Sequence, residues 1–188
     1  MQFIKSFFAI TIIMLFFSTN TIGQNEEPKR IDFSVDPVSF FMNGFSIHAG
    51  YSKGIWHLDL EAFSLKVPSS IHGNEGFTAK TSALELKIDR YFNETTNGFF
   101  ASAGLGISKL KVTETELNKS QSQLEYSAGV RGGYRWDTPL GNLYITPLAG
   151  LDIGLDNEDI TVGGNTFEND PLQPYATVNI GWYFSVNE

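Results

Sequence analysis

Residues 45–63 read FSIHAGYSKGIWHLDLEAF, and their pattern decides the fold. Apolar residues fall at every second position on both sides of Lys53-Gly54. Phe45, Ile47, Ala49 and Tyr51 precede it, and Trp56, Leu58, Leu60 and Ala62 follow. A period of two belongs to a strand with one apolar face. With Lys53-Gly54 as a two-residue turn, Tyr51 is expected opposite Trp56, Ala49 opposite Leu58 and Ile47 opposite Leu60. On the other face His48 then meets Asp59 and Ser46 meets Glu61. Apolar residues meet apolar ones and polar residues meet polar ones, a match that a slip of one residue destroys.

The same alternation extends outward in both directions. It predicts eight strands, over 30–36, 43–51, 55–66, 78–92, 98–111, 123–136, 143–154 and 173–184. The faces opposite the apolar ones are polar, charged or small, as with Glu85, Lys87 and Asp89 in the fourth strand and Ser102, Gly104 and Gly106 in the fifth. Connections after the second, fourth and sixth strands are short. Those after the third, fifth and seventh (67–77, 112–122 and 155–172) are longer and polar. Long loops therefore gather at one end, as in transmembrane barrels with short periplasmic turns and longer external loops. Tyr51, Trp56, Phe92, Phe99, Tyr134, Trp136, Trp182 and Phe184 lie on the apolar face beside the short turns, where an interfacial aromatic girdle belongs. The expected fold is all-β: one eight-stranded antiparallel up-and-down transmembrane β-barrel over 31–188.

The N-terminus fits that destination. Lys5 precedes an apolar run, FFAITIIMLFF over 7–17, and Thr21 and Gly23 place small residues before Gln24. This is the order of a secretory signal, here 1–23. The run is shorter than the roughly 20 residues of a membrane-spanning helix. Residues 24–30, QNEEPKR, read as a short disordered lead. The chain of 188 residues has no cysteine, which excludes a disulfide framework and a thiolate metal site. Its net charge of −8 argues against nucleic-acid binding, which needs a basic face.

The signal, the alternating strands and the closing segment Ala176-Thr177-Val178-Asn179-Ile180-Gly181-Trp182-Tyr183-Phe184 resemble the small eight-stranded outer-membrane β-barrel family. Val35-Asp36-Pro37 followed by Asn43-Gly44-Phe45-Ser46-Ile47 resembles the opening hairpin of such proteins. The resemblance implies residence in the cell outer membrane, contact with outer-membrane lipid and insertion by the outer-membrane assembly machinery. It implies no single activity, and the extracellular partner stays open.

Candidate chemistry lies on the polar face. His48 with Asp59, and His57 nearby, have the residue types of a general base or metal site. No third ligand at fixed spacing accompanies them, so a hydrogen-bond network is the better reading. His48, Asp59, Glu61, Glu85, Lys87, Asp89, Glu125, Arg131 and Arg135 form a mixed-sign lumen set. It reads as structural ion pairs that plug a narrow barrel rather than as an ion path, because eight strands leave an interior that side chains fill. No catalytic residue, cofactor or metal is expected. A soluble barrel holding a small apolar ligand, and an outer-membrane lipid-modifying enzyme, are the rival readings. Arg90 falls on the lipid face near a turn, from which it could snorkel to the interface. Pro147 predicts a bulge or weak pairing in the seventh strand.

Overall fold

The computed structural model describes residues 29–186. The signal segment 1–23 and residues 24–28 of the lead lie outside these. The elements are β1 (Lys29–Val35), α1 (Val38–Phe41), β2 (Phe45–Lys53), β3 (Trp56–Val67), α2 (Ser69–His72), β4 (Phe77–Tyr91), β5 (Gly98–Glu114), β6 (Lys119–Asp137), β7 (Leu143–Gly154), β8 (Ile160–Val162), β9 (Asn165–Phe167) and β10 (Leu172–Val186). Among the described residues, β1–β7 and β10 close into an antiparallel barrel, in the order β1-β10-β7-β6-β5-β4-β3-β2. β10 pairs with β1 from Lys29↔Val186 to Val35↔Ile180, so among the described residues the barrel itself has no edge strand. Lys29, expected in the lead, belongs with Arg30 to β1 and extends that closure.

The barrel is apolar outside and polar inside. Phe33, Ile47, Leu60, Leu86, Leu105, Val130, Ile153 and Ile180 are exposed on the outer face, whereas Asp32, His48, Asp59, Lys87, Ser102, Arg131 and Asn179 are buried within. A soluble barrel would reverse this. The eight aromatic residues of the expected girdle lie on the outer face, and Phe99 and Tyr134, paired in register, stack edge-on at 4.8 Å between ring centroids.

The β2–β3 register differs from the expected one by two residues. Lys53 pairs with Trp56, Tyr51 with Leu58, Ala49 with Leu60 and Ile47 with Ala62. The turn residues are therefore Gly54-Ile55, not Lys53-Gly54. Gly54 has φ 60°, and a glycine at the first central position is what a II′ hairpin turn needs. A two-residue slip keeps every side chain on its face, so the facing holds while the partners change. His48 stands opposite Glu61 and reaches Asp59 diagonally.

Two further expectations are corrected. The loop after the fifth strand, read as 112–122, is only 115–118, because β5 and β6 run on as a long hairpin. Arg90 does not snorkel: it is buried beside the turn, its guanidinium 5.5 Å from the centroid of Phe92. Of the two outcomes expected at Pro147, the structure shows the weak pairing and not the bulge. The β6–β7 register is the same at Gly133↔Leu148 and Trp136↔Ile145, and the ladder is interrupted only between these pairs, where proline has no N–H to give.

The long connection 155–171, read as a polar loop, carries the hairpin β8–β9. Ile160, Val162 and Phe167 pack onto Ala79, Leu110 and Val112, with Val67 and Phe77 beside them. By strand alternation these partners lie on the inner face of the β3–β5 extensions. The interior thus turns from polar to apolar toward the long-loop end, and the hairpin covers it there.

Candidate functional site

The interior is built by period-two alternation on a closed sheet, which aims every second side chain at the axis. The structure places all nine residues of the sequence-derived lumen set on this inner face. Eight of them enter a network of three ion-paired groups: His48, Asp59, Glu61 and Lys87; Asp89 and Arg135 with Asp32, His57, Asp137 and Arg30; and Glu85 and Arg131 with Asp152.

Lys87 Nζ lies 2.8 Å from Asp59 Oδ2 and donates to Glu61 Oε2 at 2.7 Å. His48 Nδ1 meets Asp59 at 3.0 Å, and its Nε2 meets the Ser46 hydroxyl at 3.1 Å. Ser46 in turn donates to Glu61 at 2.7 Å. Glu61 and Glu85 face each other in register, a like-charge pair that costs stability if unbalanced. Each has its own cation: Lys87 holds Glu61, and the Arg131 guanidinium holds Glu85. Arg131 also reaches Asp152 at 3.1 Å and donates to the Tyr175 hydroxyl. Glycines give this arginine its space. A Cβ at Gly104 would stand 2.6 Å from its Nη1, and one at Gly150 2.7 Å from its Cγ. This accounts for the glycine-rich polar faces.

Nearer the short turns, His57 lies between two carboxylates, with Nδ1 2.8 Å from Asp89 and Nε2 3.1 Å from Asp32. Only the imidazolium form donates at both nitrogens. Asp32 also accepts from the Tyr144 hydroxyl at 2.7 Å and from Arg135 at 3.4 Å. Arg135, 1 % exposed, stacks over the Tyr144 ring at 3.5 Å and pairs with Asp137 at 3.2 Å. Arg30 binds the same Asp137 at 2.8 Å and lies over Tyr183 at 4.2 Å. Tyr91 and Phe100, 5.1 Å apart, fill the interior beside them.

Seven carboxylates thus meet four permanent cations and two imidazoles. Burial of a charge without a partner costs several kcal/mol, and the network supplies the partners. A cavity of about 40 Å³ remains among Asp32, His57, Lys87, Arg131, Arg135 and Tyr144. That is room for a few waters at about 10–15 Å³ each. Both ring nitrogens of His48 and of His57 are engaged. Glu125 stands apart from the network and accepts from Asn169 of the long connection at 2.6 Å.

The sequence reading omitted Asp32, Asp137, Asp152, Tyr144 and Arg30. Asp32 was within reach of period two, since it alternates with Ile31 and Phe33. Asp137 and Arg30 carry no clear signal because each lies at or past an expected strand end. Tyr144 was hidden because an aromatic residue on the polar face carries no pattern signal.

No family model matches the chain, and no curated protein does. Among solved structures, it is similar to the N-terminal β-barrel domain of Pseudomonas aeruginosa OprF, at 14% identity and TM-score 0.45, covering 87% of this chain and 100% of that one. It is similar to Neisserial surface protein A at 14% identity and TM-score 0.45, covering 88% and 100%. It is also similar to a major outer membrane protein from Thermus thermophilus at 12% identity and TM-score 0.48, covering 85% and 100%. The fold assignment rests on the strand pairing of this chain itself.

Proposed function

We propose that the protein is an exported outer-membrane β-barrel with a structural or surface-interaction role and a side-chain-plugged lumen. One observation carries the reading. Eight closed strands present an apolar face outward and enclose a paired charge network with about 40 Å³ to spare. An apolar exterior around the whole barrel is far larger than the patches water tolerates on a monomer, and a bilayer is the solvent that suits it. The inward face is polar, so a small apolar ligand would find no apolar lining at the barrel waist. Conduction needs a wider barrel than eight strands allow.

Reconstitution into planar bilayers tests the reading. The protein is expected to show heat-modifiable gel mobility and no stable large conductance. A steady ion-selective current overturns the plugged lumen, and monodisperse behaviour in detergent-free buffer overturns the membrane assignment.

A further inference from the structure

Outside the barrel, β3, β4 and β5 align their outward residues in rows. Leu60, Leu86 and Leu105 form one row, and Ala62, Leu84 and Ile107 the next toward the long loops. The third row is Ser64, Ser82 and Lys109, and the fourth is Lys66, Lys80 and Lys111. All four lysines are exposed. Among the described residues none of them joins an ion pair. The outward neighbours on β6 are Leu124 and Ser122, so no carboxylate follows on that side either.

The arrangement costs the isolated protein stability. Lys80 stands directly opposite both Lys66 and Lys111, and like charges in register repel. Bulk composition does not explain it, because the chain carries 21 acidic residues against 13 basic ones. The interior shows the contrast: there, each lysine or arginine of the network faces a carboxylate. Depth supplies the remaining clue. At a rise of about 3.3 Å per residue and a tilt of about 40°, outward rows step about 5 Å in depth. The lysine rows then lie about 10 and 15 Å from the leucine row, which is the edge of the hydrocarbon and the level of the head groups.

We propose that this lysine patch docks the phosphate-bearing head groups of anionic lipid in the outer leaflet. The proposal rests on the membrane-spanning reading above. The aliphatic lysine stems lie along the apolar belt while the ammonium groups reach the phosphates. Ser64 and Ser82, whose hydroxyls are 2.8 Å apart, and Thr113 with Ser120, also at 2.8 Å, add hydroxyl donors on the same face. Phosphate between the lysines replaces repulsion by bridging attraction.

Native mass spectrometry of the full chain in neutral detergent tests this, with diphosphorylated lipid A and its dephosphorylated form as probes. The wild type is expected to retain the phosphorylated probe at least about tenfold more tightly than the dephosphorylated one. Replacing lysines in the series Lys80→Gln, Lys111→Gln and Lys66→Gln should weaken retention about fivefold per lysine. Heat modifiability in phosphatidylcholine vesicles should be unchanged throughout. Lys80→Glu puts a carboxylate between two lysines, so it should raise the thermal midpoint in neutral detergent while reducing retention. Equal retention of both probes, or equal retention by wild type and triple variant with heat modifiability intact, overturns the lipid proposal alone. A wild type that shows no heat modifiability in vesicles overturns the membrane-spanning reading and this proposal with it.

Discussion

Replacing Leu86 with arginine places a charge in the middle of the outer apolar face. Leu86 is 51% exposed and lies between Leu60 and Leu105 in register, with Leu84 and Ile88 as the outward residues to either side on its own strand. With outward rows about 5 Å apart in depth, Ser82 and Arg90 lie about 10 Å from Leu86 in opposite directions. An apolar belt about 25 Å tall then has Leu86 near its midplane and Ser82 near its rim. A lipid-facing arginine costs about 2–4 kcal/mol at the midplane and about 0–1 kcal/mol near the interface. Leu86→Arg should therefore destabilise by about 2–4 kcal/mol, Ser82→Arg by about 0–1 kcal/mol, and Leu84→Arg by an amount between them. Urea titration in phosphatidylcholine vesicles, followed by tryptophan fluorescence, reads the series. Ser102→Thr on the inner face is the control, and it should cost much less, because Ser102 borders the residual cavity. A soluble barrel predicts the opposite: an arginine at an exposed position changes stability by less than about 0.5 kcal/mol. Equal costs along Leu86, Leu84 and Ser82, or a larger cost at Ser82, would refute the depth argument.

Arg131→Ala strands Glu85 and Asp152 inside the barrel. It should destabilise by about 3–5 kcal/mol, seen as a lower thermal midpoint in detergent, while planar bilayers still show no pore. Phe167→Ala removes the largest apolar group of the β8–β9 hairpin, at a local cost of about 3–5 kcal/mol. Limited proteolysis within 155–171 should quicken while heat modifiability stays the same. The hairpin should also loosen on acidification. His72 lies 5.1 Å from the Phe167 ring and accepts the Asn74 backbone N–H at Nδ1, 3.1 Å away. Burial holds its pKa below the ordinary 6.5, so the folded state disfavours the proton. Stability from this site is complete above that value and is lost as pH falls below it. Proteolysis of 155–171 should therefore accelerate from about pH 7.5 to 5.5, and His72→Phe should flatten the profile.

Facing was legible in the sequence because it depends only on period two. Each residue's parity along its strand places it inside or outside, and no knowledge of partners is needed. The facing of the aromatic girdle and of the nine lumen residues follows from that rule alone, and the eight barrel strands, though not β8 and β9, were legible with it. Partner identity is another matter. The II′ turn at Gly54-Ile55 moved the β2–β3 register by two residues without changing any face, so sequence parity could not detect it. His48 and Asp59 still meet, now diagonally. The long hairpin of β5 and β6 and the β8–β9 cover were equally hidden. Beyond the membrane the two faces no longer meet lipid and lumen, and polar residues such as Thr113, Ser120, Gln121 and Ser122 on a paired strand look like loop. Closure decided the rest. Only where β10 meets β1 does Asp32 come within reach of Arg135 and Tyr144, residues 103 and 112 positions away, whereas His57 reaches it across β2 past Gly50. Local alternation sets which way a side chain points, and the curvature and closure of the whole sheet set what it finds there.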